Sequence, residues 1–537
     1  MINNQAFDRF LKPKYIFWYF WLYAFLTAIF VQFILPTFLP HMFLGGPNGD
    51  IGLMNAGDWN LFHTAAIKVF AEMNIYGLDA WQILPSGQGP AGIAALHYWA
   101  TGIPMPYVLI PMQSFLHGLA AFIFFKITYS IFNSKTAALI SAILYLTMPF
   151  ALLTYTQISK DVFFNLALLL FLYSLIALIK ILFRKELTTK LIIRRYAVTF
   201  LATCAAMFLL FISRQHVLDF MQILIIAFYL LYVILFLIKK SIGYIELSAV
   251  TIGIAAVFLI INVIPYADAQ KLYNHHIFNP ESEVFIGNSK TEEAVLTDLT
   301  NKFDKITLEA LLNNADKFYD EDDLISFKAV VQERLDKLIA EENSKIIEGV
   351  DNKTYGIDYK IIEPWTRSSF LPLRVDNKLE QLYSYREYFY RYSSGATTID
   401  RNLTLNSAGA MVMYLPKAIM HGLFSPSFSL LDDEITLGGK KYDHSSLLKV
   451  SILIMTLLSI PIFFSFFGVY NQRRNLLMWV MIVFAGFYLL YPVYAFPNIG
   501  AFMRHRYVPH MLIVSIGIYQ INWIINKYMS KFSTQSK

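Results

Sequence analysis

The chain alternates between long apolar runs and shorter polar connections. A helix needs roughly 20 apolar residues to cross the roughly 30 Å hydrocarbon core of a bilayer. Runs close to that length predict about ten membrane-spanning helices, with a large water-exposed insert between the seventh and the eighth. The runs are Tyr15–Leu39, Pro104–Thr128, Ala137–Tyr155, Val162–Phe183, Tyr196–Ile212, Asp219–Ile238, Ile245–Tyr266, Val450–Tyr470, Leu476–Phe496 and Val508–Ile525. The predicted fold class is therefore mainly α, a polytopic membrane helix bundle with a largely helical insert.

Positive charge is concentrated in every second connection between these runs. Cytoplasmic loops of membrane proteins carry an excess of Lys and Arg. The basic residues concerned are Arg9, Lys12, Lys14, Lys126, Lys135, Arg184, Lys185, Lys190, Arg194, Arg195, Lys239, Lys240, Arg473, Arg474, Lys527 and Lys531. The pattern predicts a multi-pass protein of the cell membrane with both termini in the cytoplasm. The connections predicted to be extracytoplasmic are 41–103, 156–161, 213–217, 267–446 and 497–507.

The insert differs from the rest of the chain in charge and in periodicity. From Asp268 to Ser446 lie 29 of the 38 acidic residues but only 20 of the 44 Lys and Arg. Within it, Thr291–Asn343 has apolar residues mostly three and four positions apart, which predicts two or three amphipathic helices. Ala408–Phe424 is apolar but at the short limit for a span, and a span there would break the charge alternation. We expect it to lie on, or dip into, the membrane interface.

These boundaries divide the chain into three regions. Residues 1–266 form an N-terminal membrane region whose first extracytoplasmic loop is 41–103. Residues 267–446 form the extracytoplasmic insert, and residues 447–537 form a C-terminal membrane region.

Composition agrees with a lipid-covered protein. The chain is 56% hydrophobic and 15% charged, whereas soluble domains carry roughly 25% charged residues. The net charge of +6 comes from helix ends, with no basic run interleaved with aromatics, so no nucleic-acid partner is expected. The single cysteine, Cys204, cannot form an intrachain disulfide. The first apolar run is too long for the core of a cleavable signal peptide.

The first extracytoplasmic loop holds two candidate carboxylates. Asp50 ends a glycine-rich stretch, and Asp58 stands where a helical pattern begins. Asp58 could simply cap that helix by accepting hydrogen bonds from its first free amides. It could alternatively act as a general base toward an acceptor hydroxyl or amine.

Further polar residues cluster at the other short extracytoplasmic connections. Lys160 and Asp161 stand between two spans, and cations recur where the positive-inside trend disfavours them. Those cations are Arg214, His216, Arg504 and Arg506. Arg side chains bind phosphate oxygens through charge-assisted hydrogen bonds. Carboxylates can also bind a hard divalent cation, so the cofactor stays unknown and such a metal remains possible.

The span interiors contain almost no ionisable residues, with His117 the main exception. Ion-coupled transporters usually need such groups near the middle of the membrane. This favours a site at the outer surface over a path through the membrane.

Four stretches together resemble the GT-C superfamily of membrane glycosyltransferases, which contains protein O-mannosyltransferases and aminoarabinose transferases. The resemblance covers about the first 220 and the last 150 residues, but not the acidic helical part of the insert. The stretches are Asp58–Phe62 with Ala65 and Ala66; Phe132–Ala138 with Met148–Phe150 and Gln157–Asp161; Arg391–Gly395 with Tyr414–Pro416 and Phe424–Pro426; and Arg504–Pro509.

The resemblance implies roles for these residues. It implies that Asp58 is the catalytic base, with Asp50 as the alternative candidate. Asp161 would assist or orient the reacting groups, and Arg504 and Arg506 would bind the donor phosphate. Lys160, Arg214, His216 and Arg391 are further candidates for substrate binding. Trp59 stands where several relatives have a second acid, which puts a paired-acid or metal role for this loop in doubt.

The leading hypothesis is a glycosyltransferase that moves a sugar from a polyprenyl-phosphate donor to a glycan, lipid or protein acceptor of the cell envelope. The reaction would take place at the extracytoplasmic face, with the carrier's tail in the lipid bilayer. One alternative is a polysaccharide polymerase or ligase that uses a diphosphate-linked oligosaccharide. The other is a non-enzymatic transporter of lipid-linked glycan.

Overall fold

The computed structural model describes most of the membrane regions and part of the insert. The described residues are 13–38, 53, 58–85, 88–182, 189–214, 365–392, 400, 403–425, 435–437, 440–442, 446–496 and 499–535, with isolated positions between 217 and 251 and at 332.

Helices make up nearly all of the described secondary structure. They are α1 (Pro13–Ile29), α2 (Leu35–Phe38), α3 (Trp59–Tyr76), α4 (Gly89–Thr101), α5 (Ile110–Phe132), α6 (Lys135–Thr147), α7 (Pro149–Tyr155), α8 (Asp161–Leu182), α9 (Thr189–Ser213), α10 (Leu373–Tyr392), α11 (Ala408–Phe424), α12 (Ser446–Asn471), α13 (Leu476–Ala495) and α14 (Ile499–Gln535). A π-helical turn, Phe30–Ile34, joins α1 to α2, and 3₁₀ turns cover Gly77–Ala80 and Pro106–Leu109. Strands β1 (Ile435–Leu437) and β2 (Lys440–Tyr442) pair antiparallel, with Ile435 opposite Tyr442.

Seven of the described segments are long and apolar enough to cross a membrane. They are Tyr15–Phe38, Pro106–Phe132, Asp161–Ile181, Ile193–Ser213, Ile452–Asn471, Leu476–Ala495 and Gly500–Ser530. Each coincides with a span predicted from the sequence, and the prediction of a mainly α-helical, multi-pass membrane bundle is confirmed. Two more predicted spans, Asp219–Ile238 and Ile245–Tyr266, lie outside the described residues apart from isolated positions.

The predicted span Ala137–Tyr155 is not one helix. The structure divides it into α6 and α7 at Met148, whose extended ψ of 122° interrupts the helix before Pro149. Proline disfavours the helical conformation in the residue before it and lacks an amide hydrogen to continue the ladder. A helix of 13 residues, α6, remains on one side of this break.

The predicted extracytoplasmic turn 497–507 is also different in the structure. From Ile499 onward this stretch is already helical, as the beginning of α14, which runs for 37 residues to Gln535. Its basic residues are therefore fixed on a helix, where positions 504 and 506 point in opposite directions because successive residues turn by 100°.

The first loop folds into a helical hairpin with its own apolar core. α3 and α4 pack together through Phe62, Ala66, Ala95 and Tyr98, and the cluster also includes Ile158 from the connection before α8. His63 and Tyr98 reinforce the hairpin with a 2.7 Å hydrogen bond between Nδ1 and the phenol oxygen. This packing joins the start of α3 to the short connection that carries Lys160 and Asp161.

The C-terminal part of the predicted insert belongs with the membrane helices. Residues Met1–Ile261 and Ile361–Lys537 form one compact unit, whereas Asn262–Lys360 lie almost wholly outside the described residues. Within the first unit, α10 and α11 both pack against α13. The three-region division stays a prediction, as does the placement of the insert on the extracytoplasmic side.

Close packing of α12 against α14 depends on a glycine. A methyl group at Gly517 would lie 2.9 Å from Cα of Pro461 and closer still to its carbonyl group, whereas one at Gly486 on α13 would meet no atom within 4 Å.

We therefore expect Gly517→Ala to destabilise the protein by about 1–3 kcal/mol, the usual cost of overpacking. The matched change Gly486→Ala should be neutral or slightly stabilising, because alanine favours helices over glycine by up to about 1 kcal/mol. Thermal unfolding of both variants in detergent measures the difference. Equal melting temperatures would contradict the close contact at Gly517.

Candidate functional site

Asp58 stands immediately before α3 but does not cap it. Its side chain makes no capping hydrogen bond, and its backbone carbonyl accepts the amide of Phe62 at 3.1 Å. The carboxylate instead accepts a hydrogen bond from Nη1 of Arg504 at 3.0 Å, and 56% of the Asp58 side chain is exposed. The capping interpretation is therefore wrong, and the carboxylate is accessible for chemistry.

Asp161 and Arg214 form a second, buried ion pair. Nη2 of Arg214 donates to Oδ1 of Asp161 at 2.7 Å, and only 3% of the Asp161 side chain is exposed. The hydroxyl of Ser159 donates to Oδ2 of Asp161 at 3.2 Å, and the guanidinium of Arg214 lies 5.1 Å from the ring centre of Phe164. Buried charges require such pairing because removing either partner leaves an unsolvated ion. Asp161 is thereby fixed in place.

The connection that carries these residues is held rigidly. Gln113 donates through Nε2 to the carbonyl of Gln157 at 2.8 Å, and Gln32 donates to the carbonyl of Thr156. Ile158 is buried in the core of the first-loop hairpin. Span α5, the π-helical turn after α1 and the first loop thus all anchor this short segment.

Lys160 lies between the two ion pairs. Its ammonium group is 5.3 Å from the ring centre of Phe62. The pKa of Lys160 falls to about 8, first because of burial and then because of the positive charge of Arg214, while Asp58 and Asp161 raise it and Arg504 lowers it. The charge of Lys160 therefore interacts with all four of the other groups.

We call these five residues, Asp58, Lys160, Asp161, Arg214 and Arg504, the charged cluster. It contains three cations and two carboxylates. Asp58 precedes α3, Lys160 and Asp161 stand at the connection before α8 and at its first residue, Arg214 follows α9, and Arg504 lies in the second turn of α14. Such a group can bind an anion through its cations and present the exposed carboxylate of Asp58 as a base.

Arg506 does not join the cluster, contrary to the expectation that it binds the donor phosphate. It is 1% exposed, and its Nη1 donates to the carbonyls of His421 at 3.0 Å and Gly422 at 2.8 Å. Its Nη2 donates to the carbonyl of Ser425. The side chain is therefore engaged by the end of α11 and has no accessible face for a substrate.

The intervening residue, His505, stacks on Phe496 with the ring centres 4.3 Å apart. Its ring also meets the edge of Phe164, the ring that supports Arg214. Phe164 was not identified from the sequence, and His505 was noted only as part of the stretch Arg504–Pro509, without a role of its own. The spacing of Phe164, one helical turn after Asp161, was the available signal.

Three predicted site residues cannot be placed. Asp50 and His216 lie outside the described residues. For Arg391 the structure describes the backbone, as part of α10, but not the side chain. Among the residues that the structure describes, no group of three or more His, Cys, Asp or Glu side chains could hold a metal ion.

A further polar group, not predicted from the sequence, surrounds Asp400. Its carboxylate accepts hydrogen bonds from Tyr414 at 2.8 Å, Lys417 at 2.5 Å and His421 at 3.0 Å, all on α11. Burial raises the pKa of Asp400, but the three hydrogen bonds outweigh it and hold the pKa well below its usual range. The hydroxyl of Ser425 lies 3.3 Å from Nδ1 of His421, but Ser425 is buried, so we interpret this group as a clamp on α11.

The fold and the cluster together define a multi-pass membrane protein with a group of interacting charges beside a helical hairpin in its first loop. No protein-family model matches the chain, and no curated protein sequence does so.

Among solved structures, the chain is similar to the oligosaccharyltransferase of the archaeon Archaeoglobus fulgidus. Two structures of that enzyme match. The first is AglB in complex with an inhibitory peptide and a dolichol-phosphate, with 14% identity and a TM-score of 0.42. The other is the apo form, with 12% identity and a TM-score of 0.39. Each comparison covers 97% of this chain and 52% of the other, so this chain spans about half their length.

At these identities and TM-scores the likeness carries no argument about the fold or the activity of this chain.

The two arginines of α14 should respond differently to substitution. Arg506→Met removes the arginine donor from the buried carbonyls of Gly422 and Ser425, at a cost of about 1–3 kcal/mol for each. Arg504→Met breaks a partly exposed pair, for which about 0–1 kcal/mol is usual. Thermal unfolding in detergent should show a large loss for Arg506→Met only. A comparable loss in both variants would contradict the separate placement of these side chains.

Proposed function

We propose that this protein is a membrane glycosyltransferase that transfers a sugar from a polyprenyl-phosphate donor to a cell-envelope acceptor at the extracytoplasmic face. The observation that carries the proposal is the exposed carboxylate of Asp58, which faces a cation rather than capping its helix. The basic loops predicted from the sequence support the choice of face.

In this proposal Asp58 is the general base. It accepts the proton of an acceptor hydroxyl or amine, whose oxygen or nitrogen attacks the anomeric carbon of the donor sugar. The bond from that carbon to the phosphate oxygen breaks, and polyprenyl phosphate leaves with the bonding electrons. Base catalysis of this kind contributes about 10²–10⁴-fold to a rate.

The cations of the charged cluster receive the donor phosphate. Arg504 and Lys160 are the two whose positions next to Asp58 suit this role. Asp161 and Arg214 are buried together, so we assign them to positioning Lys160 and the start of α8. Stabilising the charge that develops on a leaving group is usually a large part of catalysis.

The balance of charge favours a donor with one phosphate. Within the described residues the cluster has one cation more than it has carboxylates. A sugar phosphodiester carries one negative charge at neutral pH and would neutralise that excess. A diphosphate-linked donor carries two, and it would leave one of them uncompensated in a partly buried site.

Replacing the base should strongly reduce transfer without unfolding the protein. We expect Asp58→Asn to reduce sugar transfer by about 10²–10⁴-fold in a purified preparation with lipid-linked donor and acceptor. Asp79 is an exposed carboxylate in the same loop, so Asp79→Asn makes the same chemical change away from the cluster. This matched control should retain activity. Full transfer by the Asp58 variant would refute the assignment. Lipid translocation in liposomes without transfer by the wild-type protein would favour a transporter instead.

Lys160 predicts a pH dependence of donor binding. Its charged form binds phosphate, and because its pKa is lowered to about 8, that form is lost as the pH rises through this value. The KM for donor should therefore increase on the alkaline side of 8. Lys160→Arg keeps its charge throughout and should flatten the profile. An identical alkaline rise in wild type and variant would show that another group is responsible.

A further inference from the structure

Helix α11 has an outer face that is apolar along its whole length. Met413 is 82% exposed, Val412 67% and Met420 57%, and Ile419 and Leu415 are also exposed. The opposite face packs inward through Met411, Tyr414, Ala418 and Gly422. An amphipathic helix on a water-facing surface would turn a charged side outward, whereas the outer face of α11 is apolar.

The one cation on this helix does not interrupt the apolar face. Lys417 stands at its edge and pairs with Asp400 at 2.5 Å. An apolar surface of this kind marks contact with a partner or a membrane.

The contacts of α11 show that it enters the bundle obliquely. Near its start, the carbonyl of Met411 accepts the phenol hydroxyl of Tyr494, one residue before the end of α13. Near its end, Gly422 lies against Leu489. Eleven residues of α11, about 16 Å of helix, thus cover five residues of α13, about 8 Å. The helix advances into the bundle as it crosses.

Contacts with the neighbouring spans agree on the depth of its end. The carbonyl of Leu423 accepts Nε2 of His510 at 3.1 Å, and His510 lies about three turns into α14. Arg506, which binds the carbonyl of Ser425, also contacts Sδ of Met455, which is well inside α12. The C-terminus of α11 therefore lies inside the bundle, between the spans α12 and α14 and away from their ends.

The polar groups of that terminus are supplied with partners. The last carbonyls of a helix have no partner within it and cost several kcal/mol each where lipid excludes water. Here the guanidinium of Arg506 donates to the carbonyls of His421, Gly422 and Ser425. The imidazole of His510 donates to the carbonyl of Leu423. A cation at this position also opposes the negative end of the helix dipole.

We propose that α11 is a half-inserted helix whose outer face is covered by the acyl chains of the bilayer, with Arg506 and His510 as caps for its buried end. At 17 residues it is at the short limit for crossing the membrane. Lipid is the occupant because α11 packs against the span α12, which also exposes apolar side chains, among them Leu453 and Leu457. The proposal does not depend on the proposed transfer reaction.

Site-directed spin labelling tests this placement directly. Cys204 is the only cysteine, so Cys204→Ser provides a background for single nitroxide labels at Met413→Cys and Met420→Cys. The protein is reconstituted in phosphatidylcholine–phosphatidylglycerol vesicles, and collisions with oxygen and with a water-soluble nickel chelate are measured. Leu457→Cys on α12 is the lipid-facing control, and Ser384→Cys, exposed on the polar helix α10, is the water-facing control.

Both α11 labels should collide with oxygen as the Leu457 label does, and position 420 should lie deeper than position 413. If the α11 labels collide with the nickel chelate as often as the label at Ser384→Cys does, the face is in water and the proposal is overturned. Protection from both reagents would overturn it too, since protein would then cover the face. Equal depth at the two positions would contradict insertion. None of these readouts uses sugar transfer, so the result is separate from the fate of the proposed function.

Discussion

Every polar group in the apolar part of this bundle needs a partner from the protein itself, because acyl chains offer neither donors nor acceptors. The first two turns of α14 meet that requirement for the end of α11 and contact two further neighbours. Arg504 binds Asp58 at the start of α3, His505 stacks on Phe496, and Arg506 binds the end of α11. Three consecutive residues on a helix point about 100° apart, so a single short segment joins the first loop, the end of α13 and the half-inserted helix.

The same requirement separates charges that hold the structure from charges available for chemistry. Arg506 is used by backbone carbonyls, and Arg214 and Asp161 neutralise each other in a buried position. Asp58 and Arg504 are more exposed, and Lys160 lies between the pairs with its pKa lowered by burial. In the proposed reaction, the donor phosphate would compete with Asp58 for Arg504 and also bind Lys160, which would release the carboxylate of Asp58 toward the acceptor.

Much of the membrane fold follows from hydrophobic runs, because lipid imposes a minimum length of apolar helix. The prediction from hydrophobic runs was wrong at two places. Pro149 divides a predicted span, and the predicted turn at 497–507 is helical from Ile499. Helical geometry would have shown that Arg504 and Arg506 cannot face one phosphate. The pairing of Asp58 with Arg504, which are 446 positions apart, depends on tertiary contacts that no local pattern reports.

The central claim, that the charged cluster receives a lipid-linked phosphate, is tested most directly by equilibrium binding of polyprenyl monophosphate to purified protein. Arg504→Gln is compared with the wild type, and Arg473→Gln, an exposed arginine of the connection between α12 and α13, serves as control. Charge-assisted hydrogen bonds contribute about 1.5–3 kcal/mol, so the Arg504 variant should bind about tenfold more weakly or worse. The control should bind as the wild type does. Equal affinity in all three proteins would contradict the account.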